Sequence, residues 1–373
     1  MTKKWSFKLT PTRKILIALV IMSLILAIYR LATGLGVSTN LNDKWPWGLW
    51  IGFDLTAVAL AGAGYSICFL VHVLHIERFK IIARRALLFS FLGYIFVLAT
   101  LILEIGRWDN FWRPFISWGI HSPMFEVYMC ISVYTFIQLI EFAEIFVQKF
   151  SPTWYRRIEK VMPVVVILGA LLPFGHQASL GAIYLIVPHK LHPLWWSSLL
   201  PWFFLITSFF VGPAIVAIEA LWSGKIFNSN VNIKILRSLI RISGGIMVAY
   251  LALKVFDLIN RNAFQYLFTG GLESSMFLLE MVAGIILPVV ICFSPWGTTK
   301  TGMVTFGILT VSGVVLNRVN VVFTGMYGAL GAGYTPAGIE WGISIGLLSL
   351  VVLAYIFIVE NFNIYHAEKA QPV

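Results

Sequence analysis

Ten stretches of this chain are each long enough and apolar enough to cross a lipid bilayer: 15–34, 47–74, 84–105, 123–147, 161–187, 198–222, 235–258, 272–293, 302–324 and 338–360. A hydrocarbon core takes about 20 residues of helix. In lipid every backbone amide must be satisfied internally, so only helices or a closed barrel can span. Runs of this length select the helix. The expected fold class is an all-α integral membrane protein with ten transmembrane helices. Of its 373 residues, 59% are hydrophobic and 12% charged, against about 25% charged in a soluble domain. The first run reads as a span rather than a leader, because no small-residue cleavage site follows it. The reading divides the chain into a tail at 1–14, helices 1–5 at 15–187, helices 6–10 at 188–360 and a tail at 361–373.

The net charge of +11 has a source other than nucleic acid. With the N-terminus in the cytoplasm, 19 of the 27 Lys and Arg residues fall on cytoplasmic segments. The other eight are Arg30, Lys44, Arg107, Arg113, Lys190, Lys254, Arg261 and Arg318. That asymmetry follows the positive-inside rule and puts both termini in the cytoplasm. The three cysteines (Cys68, Cys130, Cys292) stand singly in apolar segments with no CxxC. They supply no framework for an iron–sulfur cluster or a disulfide. The seven histidines do not pair across helices at one depth, which argues against haem. No metal-ligand spacing or phosphate-binding loop is present.

Ionisable groups at membrane depth are costly and mark function by default. Depth follows from 1.5 Å of rise per residue. Helix 2 enters from the outside through "WPWGLWIGFDL", which sets Asp54 about two turns below the outer surface. Helix 3 leaves through "LEIGRWDNFW", with Glu104 and Arg107 at its outer end. Helix 4 re-enters after "HSPMFE", with His121 in the loop and Glu126 in the first turn. Helix 5 carries "LGALLPFGHQASLG", with His176, Gln177 and Ser179 past its midpoint. The expectation is that these groups converge at one depth near the outer face. Pro173 withholds an amide from the Gly169 carbonyl and kinks helix 5 one turn below His176. Gly175 would let a neighbour or ligand come close.

A second polar stripe runs toward the inside. Tyr65 and His72 continue the Asp54 face of helix 2, and Tyr134, Gln138, Glu141 and Glu144 continue that of helix 4. Hydroxyl, amide and carboxyl groups in such a column suit proton transfer through water. The second half has its own polar group: Lys254 and Asp257, spaced to pair on one helix face, with Glu280, Asn317, Arg318 and Asn320. Trp45, Trp47, Trp50, Trp108, Trp112 and Trp118 gather at the outer interface, as an aromatic belt does. A slot walled by aromatics, with His and Gln to bond two carbonyls and carboxylates to exchange protons, suits a quinone.

"PWGLWIGFDL", "LEIGRW" and "LGALLPFGHQASLG…HPLW" resemble the NrfD/polysulfide reductase superfamily. The resemblance is to its ten-helix branch, which includes the HybB-, DsrP- and Hmc-type membrane subunits. It runs over nearly the whole chain and is clearest in helices 2–5. It implies a subunit of the prokaryotic cytoplasmic membrane with no bound redox centre. That subunit exchanges electrons between quinone, menaquinone by expectation, and an outer-face iron–sulfur subunit of the four-cluster ferredoxin type. Beyond it stands a hydrogenase, a multihaem cytochrome c or a sulfur-metabolising catalytic subunit. The resemblance also implies a quinone pocket in the bundle of helices 2–5, and proton translocation is proposed for several members. Glu104 stands where related chains can carry Asp. The residues expected at the quinone are His176, Gln177, Asp54, Arg107, Glu126, His121 and Ser179. Those expected to carry protons are Glu104, Tyr65, His72, Tyr134, Gln138 and Glu141. The 106–122 loop is the expected dock for the partner. A secondary transporter or a passive anchor are the rival readings. A transporter predicts matching broken helices in both halves, and a passive anchor has no need of buried carboxylates.

Overall fold

The computed structural model describes residues 5–227, 232–331 and 333–365. Lys3, Lys4, Lys369 and His366, used above for orientation and for haem, lie outside them. The ten expected spans are all present: α1 (Pro11–Thr33), α2 (Leu49–Val73), α3 (Glu77–Glu104), α4 (Pro123–Phe150), α5 (Pro152–Ile186), α6 (Leu200–Ile226), α7 (Ile233–Asn260), α8 (Leu272–Phe293), α9 (Lys300–Leu330) and α10 (Gly338–Asn361). No strand occurs among the described residues. Several helices begin before the hydropathy does. α3 starts at Glu77 rather than 84, and α5 at Pro152 rather than 161. A helix does not stop where the lipid stops, whereas an apolar window does. Prolines in the first turns of α1, α4, α5 and α6 occupy positions that have no intrahelical amide to lose. Thr10 and Ser151 cap α1 and α5, and Thr299 caps α9.

Helices α2, α3, α4 and α5 pack in a closed square, and α6, α7, α8 and α9 form a second one. α2 and α5 both lean on α6 and so join the two bundles. The α2–α6 seam is held close by glycine. A Cβ on Gly212 would lie 2.8 Å from the Gly62 carbonyl oxygen, and small residues at such seams let helix backbones approach. α1 and α10 form a pair outside the bundles, laid against α3. Ile15, Leu24, Ile25 and Ile28 of α1 face outward, as lipid-facing side chains do.

The start of α1 and the end of α10 lie at one end of the molecule, here called the terminal end. Ser6 and Asn361 exchange hydrogen bonds of 2.8 and 2.9 Å, Arg13 pairs with Glu360, and Lys149 Nζ donates to the Asn361 carbonyl at 2.9 Å. The 34–48, 105–122, 187–199, 261–271 and 331–337 connections lie at the opposite end.

Candidate polar pocket in the first bundle

The predicted polar residues of α2–α5 separate into layers. Nearest the opposite end, the Ser179 hydroxyl of α5 donates to Glu126 Oε1 of α4 at 2.6 Å. Across the bundle, the Thr100 hydroxyl of α3 donates to Asp54 Oδ1 of α2. Glu104 accepts from the Gly48 amide at 2.8 Å. His176 lies deeper, beside Tyr94 of α3, with ring centroids 5.8 Å apart. Tyr94 in turn meets the Tyr134 ring of α4 edge-on at 4.5 Å. Tyr94 is ten residues from Glu104 along α3, about 15 Å of helix. The convergence of all these groups at one depth is therefore not what the structure shows.

His176 and Gln177 are adjacent in sequence but about 100° apart around the helix, so they serve different walls. His176 faces Tyr94 of α3. Gln177 Nε2 reaches α2 and donates to the Val58 carbonyl at 2.8 Å. A carbonyl can only accept, so this bond fixes the amide with Oε1 as the free atom. Tyr65 stands nearby with its ring edge-on to Phe174 and Phe209, at 5.9 and 5.7 Å.

The distinguishing property of this region is what its polar atoms lack. His176 is 1% exposed and Gln177 0%. Nδ1 and Nε2 of His176, Oε1 of Gln177, Oδ2 of Asp54, Oε2 of Glu104 and the hydroxyl of Tyr94 are all buried. None has a hydrogen-bond partner among the described residues. A buried polar group without a partner costs about 1–3 kcal/mol, so such a concentration calls for a ligand, ordered water or both.

Toward the terminal end the column continues. Gln138 Nε2 donates to Ser90 Oγ at 2.6 Å and to the Tyr134 hydroxyl at 3.1 Å, leaving its own Oε1 without a partner. Glu141 follows, buried at 6% exposure. Its carboxylate presses on α5 where a Cβ on Gly169 would come within 2.5 Å of Oε1, so glycine is what makes room for it. Pro173 withdraws its amide from the carbonyl of that same Gly169. Gly175, expected to admit a close neighbour, has nothing within 4 Å of a Cβ built on it.

Three predicted residues stand apart. Arg107 is exposed and bonds Asp109 at 3.2 Å. It lies beyond the end of α3, where the chain turns outward, so it does not reach the pocket. That contact holds the exposed Asp109 carboxyl below its ordinary range. His121 is exposed in the same connection. His72 is exposed in the π-helical turn Phe69–Val73 that ends α2 and does not continue the buried column. Residues missed in the sequence include Tyr94, Thr100 and above all Arg30 of α1. Arg30 is fully buried, with Nη2 donating to the Ile105 carbonyl at 2.8 Å. Its signal was a charge placed three residues inside an apolar span.

The second bundle is built differently. Glu280 accepts from Trp195 Nε1 (2.9 Å), Asn317 Nδ2 (2.7 Å) and Asn320 Nδ2 (2.9 Å). Arg318 donates to Asn317 Oδ1 (2.6 Å) and Thr207 Oγ1 (2.7 Å), with its guanidinium 3.6 Å from the Phe204 ring centroid. Asp257 is bonded by Arg261 at 2.7 Å and by Ser197 at 2.7 Å. The expected Lys254–Asp257 pair gives way to this one, and Lys254 Nζ instead lies over the Phe203 ring at 4.5 Å. A cleft of about 70 Å³ opens at the opposite end between the bundles, lined by Lys44, Trp45, Trp47, Lys190 and Met326 among others. It is smaller than the cavity of about 150 Å³ known to take benzene.

The family model described as Polysulphide reductase, NrfD matches residues 37–328 of the chain. The chain belongs to the NrfD family. The match covers eight of the ten spans wholly or in part and leaves out α1 and α10, the pair outside the bundles. A protein of Nitratidesulfovibrio vulgaris is 32% identical over 96% of this NrfD-family chain and 95% of its own length. A "Probable Ni/Fe-hydrogenase 2 b-type cytochrome subunit" of Escherichia coli is 28% identical over 91% of the chain and 89% of its own. The "Menaquinone reductase, integral membrane subunit" of N. vulgaris is 28% identical over 88% and 85%.

Proposed function

We propose that this chain is the quinone-reactive membrane subunit of a respiratory oxidoreductase complex, with its quinone site in the α2–α5 bundle around His176. The observation that carries the reading is the set of buried, unpartnered polar atoms there. A relative named as the membrane subunit of a menaquinone reductase supports the substrate class.

The donor set suits both redox states of the ring. Tyr94 Oη and an N–H of His176 would donate to quinone carbonyls. Gln177 Oε1 and the other His176 nitrogen would accept from quinol hydroxyls. Oxidation of one quinol releases two electrons and two protons. The electrons need an acceptor outside this chain, and an iron–sulfur subunit at the opposite end fits that need. The 105–122 connection, which exposes Trp112, Phe115, Ile116 and Trp118, would be its dock. The protons would pass through Asp54 and Glu104 toward the opposite end. The Tyr134–Gln138–Glu141 column would serve transfer toward the terminal end. In this reading both termini are cytoplasmic, the membrane is the prokaryotic inner membrane and the site faces outward, as the basic-residue asymmetry supports.

The E. coli relative is named as a b-type cytochrome. A haem held by two histidines needs facing imidazoles at one depth. Among the described residues His176 is the buried histidine, while His72, His75 and His121 are exposed, and a tyrosine ring lies beside His176. This donor set does not fit, and no step is assigned to haem.

The test is quenching of a fluorescent hydroxyquinoline N-oxide by the purified complex, wild type against His176→Leu. Stoichiometric quenching that the variant loses supports the reading. An intact wild-type complex that does not quench, or a variant that quenches as well as wild type, overturns it.

A further inference from the structure

The orphaned polar atoms do not end at the first bundle. Where α1 meets α2 and α3, at the opposite end, Arg30 and Trp50 join Asp54, Thr100 and Glu104 in a layer. Trp50 and Asp54 are one turn apart on α2, and Thr100 and Glu104 are one turn apart on α3. The Asp54–Thr100 hydrogen bond sets the register of these antiparallel helices, so Trp50 and Glu104 lie together one turn further out. Trp50 clusters with Leu103 and with Ile343 of α10, and Leu26 and Leu31 of α1 pack against that cluster. Arg30 closes the layer from α1, bonded to the carbonyl of Ile105, the residue after Glu104. Arg30 and Trp50 are both 0% exposed and Asp54 4%.

Arg30, Trp50, Asp54 and Glu104 each keep a buried atom without a partner among the described residues. The donors are Arg30 Nε, Arg30 Nη1 and Trp50 Nε1, and the acceptors are Glu104 Oε2 and Asp54 Oδ2. A mixed set of this kind is what buried water satisfies, since each such molecule makes about three hydrogen bonds. The other charged or titratable groups beside this layer are Glu340 and Tyr334. Both are engaged: the Tyr334 hydroxyl donates to Glu340 Oε1 at 2.5 Å and accepts from the Leu49 amide at 2.7 Å. Glu340 Oε2 accepts from the Ala337 amide at 2.7 Å. Glu104 and Asp54 are left as the carboxylates with an open oxygen.

We propose that this α1–α2–α3 layer is a buried water site through which Asp54 and Glu104 pass protons between the first-bundle pocket and the opposite end, with Arg30 of α1 as its positioning residue. Its cargo rests on the quinone reading, whereas the water site does not. The inward link is short. Asp54 is one turn, about 5.4 Å of helix, from Val58, whose carbonyl holds Gln177. α1 then does more than flank the bundles: it supplies the fixed cation and two of the donors that hold the water.

Two tryptophans make the test internal. Trp50 and Trp195 are both 0% exposed, but Trp195 Nε1 is bonded to Glu280 at 2.9 Å and Trp50 Nε1 is free. Hydroxyl-radical footprinting of the purified full-length complex labels side chains that touch bound water even when bulk solvent does not reach them. Trp50 should oxidise about tenfold faster than Trp195 if ordered water lies against it. Arg30→Met should bring the two rates together, and Arg30→Lys should retain most of the difference, each variant first being shown monodisperse. Equal rates in wild type overturn the water site. A difference that survives Arg30→Met overturns the role of Arg30. For the proton path, Glu104→Gln should slow quinol oxidation by the complex about tenfold while hydroxyquinoline N-oxide binding stays at the wild-type level, because a carboxamide cannot relay a proton. Unchanged turnover overturns the relay. Loss of inhibitor binding in wild type would instead strike the quinone reading and leave the footprinting result standing.

Discussion

The two four-helix bundles bury similar inventories of polar side chains and treat them in opposite ways. In α6–α9, Glu280 takes three donors, Asp257 is bonded by Arg261 and Ser197, and both amides of the network are used at each end. Of the carboxylate, amide and guanidinium atoms of Glu280, Asp257, Asn317, Asn320, Arg261 and Arg318, only Arg318 Nε is buried without a partner among the described residues. In α2–α5 the reverse holds: histidine, glutamine, tyrosine and aspartate each keep a buried atom unbonded. Desolvating a polar group costs the same in either bundle, so selection for stability alone would have closed both networks. A satisfied network specifies how helices pack. An unsatisfied one holds open chemistry that something outside the chain completes. The comparison makes the first-bundle cluster the candidate site, whereas charge count alone would point to the second bundle.

The largest effects should separate the bundles most sharply. Glu280→Ala strands three donors beside Arg318 and Lys254. Breaking a buried charged network by removing one partner costs about 3–5 kcal/mol. The expected outcome is a chain that loses monodispersity on purification or unfolds at markedly lower temperature, with inhibitor affinity normal in whatever fraction folds. His176→Leu removes two unpartnered nitrogens and fills the space. Its stability should stay within about 1 kcal/mol of wild type, while inhibitor affinity drops by a factor of ten or more, about 1.4 kcal/mol. A His176→Leu variant that unfolds like Glu280→Ala would show that the first bundle, too, is structural.

A pair of variants sharpens the contrast. Tyr94→Phe deletes a buried hydroxyl, and Trp195→Phe deletes a buried N–H together with part of the indole ring. The Tyr94 hydroxyl has no partner, so its loss should be neutral in thermal unfolding and should weaken inhibitor binding by about 1 kcal/mol, the net worth of one hydrogen bond. The Trp195 N–H is bonded to a carboxylate, so its loss should cost about 1.5–3 kcal/mol of stability, with the cavity left by the smaller ring adding to that, and should leave binding unchanged. Identical signatures for the two variants would break the comparison.

How much of this was legible in the sequence depends on which physical property each residue expresses alone. The spans were legible because hydropathy adds over about 20 residues. Their ends were not, since Glu77–Arg85 and Pro152–Lys160 stay helical in sequence too polar to count as membrane. Depth arithmetic placed Asp54, Glu126 and Ser179 toward the outer ends of their helices and His176 and Gln177 past the midpoint of α5. It could not resolve that Gln177 and His176 face different helices, nor that His176 sits a layer deeper than Glu104. Arg107 and His121 looked close to the pocket because distance along the chain says nothing of the turn a loop takes after Glu104. Tyr94 and Thr100 are unremarkable residue types in a span and carried no signal. Arg30 did carry one, a charge inside an apolar helix, but was absorbed into the tally that set the orientation.

The smallest expected effect concerns the route by which a ring reaches a histidine that is 1% exposed. Gly175 precedes His176 on the exposed face of α5, and a Cβ built there meets nothing within 4 Å. A side chain at this position therefore occupies lipid rather than pocket. Gly175→Leu should keep or raise helix stability, since glycine inside a helix costs about 1 kcal/mol. Equilibrium inhibitor affinity should not change, because the free and bound states gain the same side chain. If quinones slide in past α5, the association and dissociation rates should both fall, by about threefold for a barrier raised by about 0.65 kcal/mol. Stopped-flow quenching of the complex in lipid nanodiscs reads both rates. Unchanged rates would place the entrance on another face, whereas an altered affinity would mean that Gly175 lines the pocket itself and that the wall between lipid and site is thinner than α5.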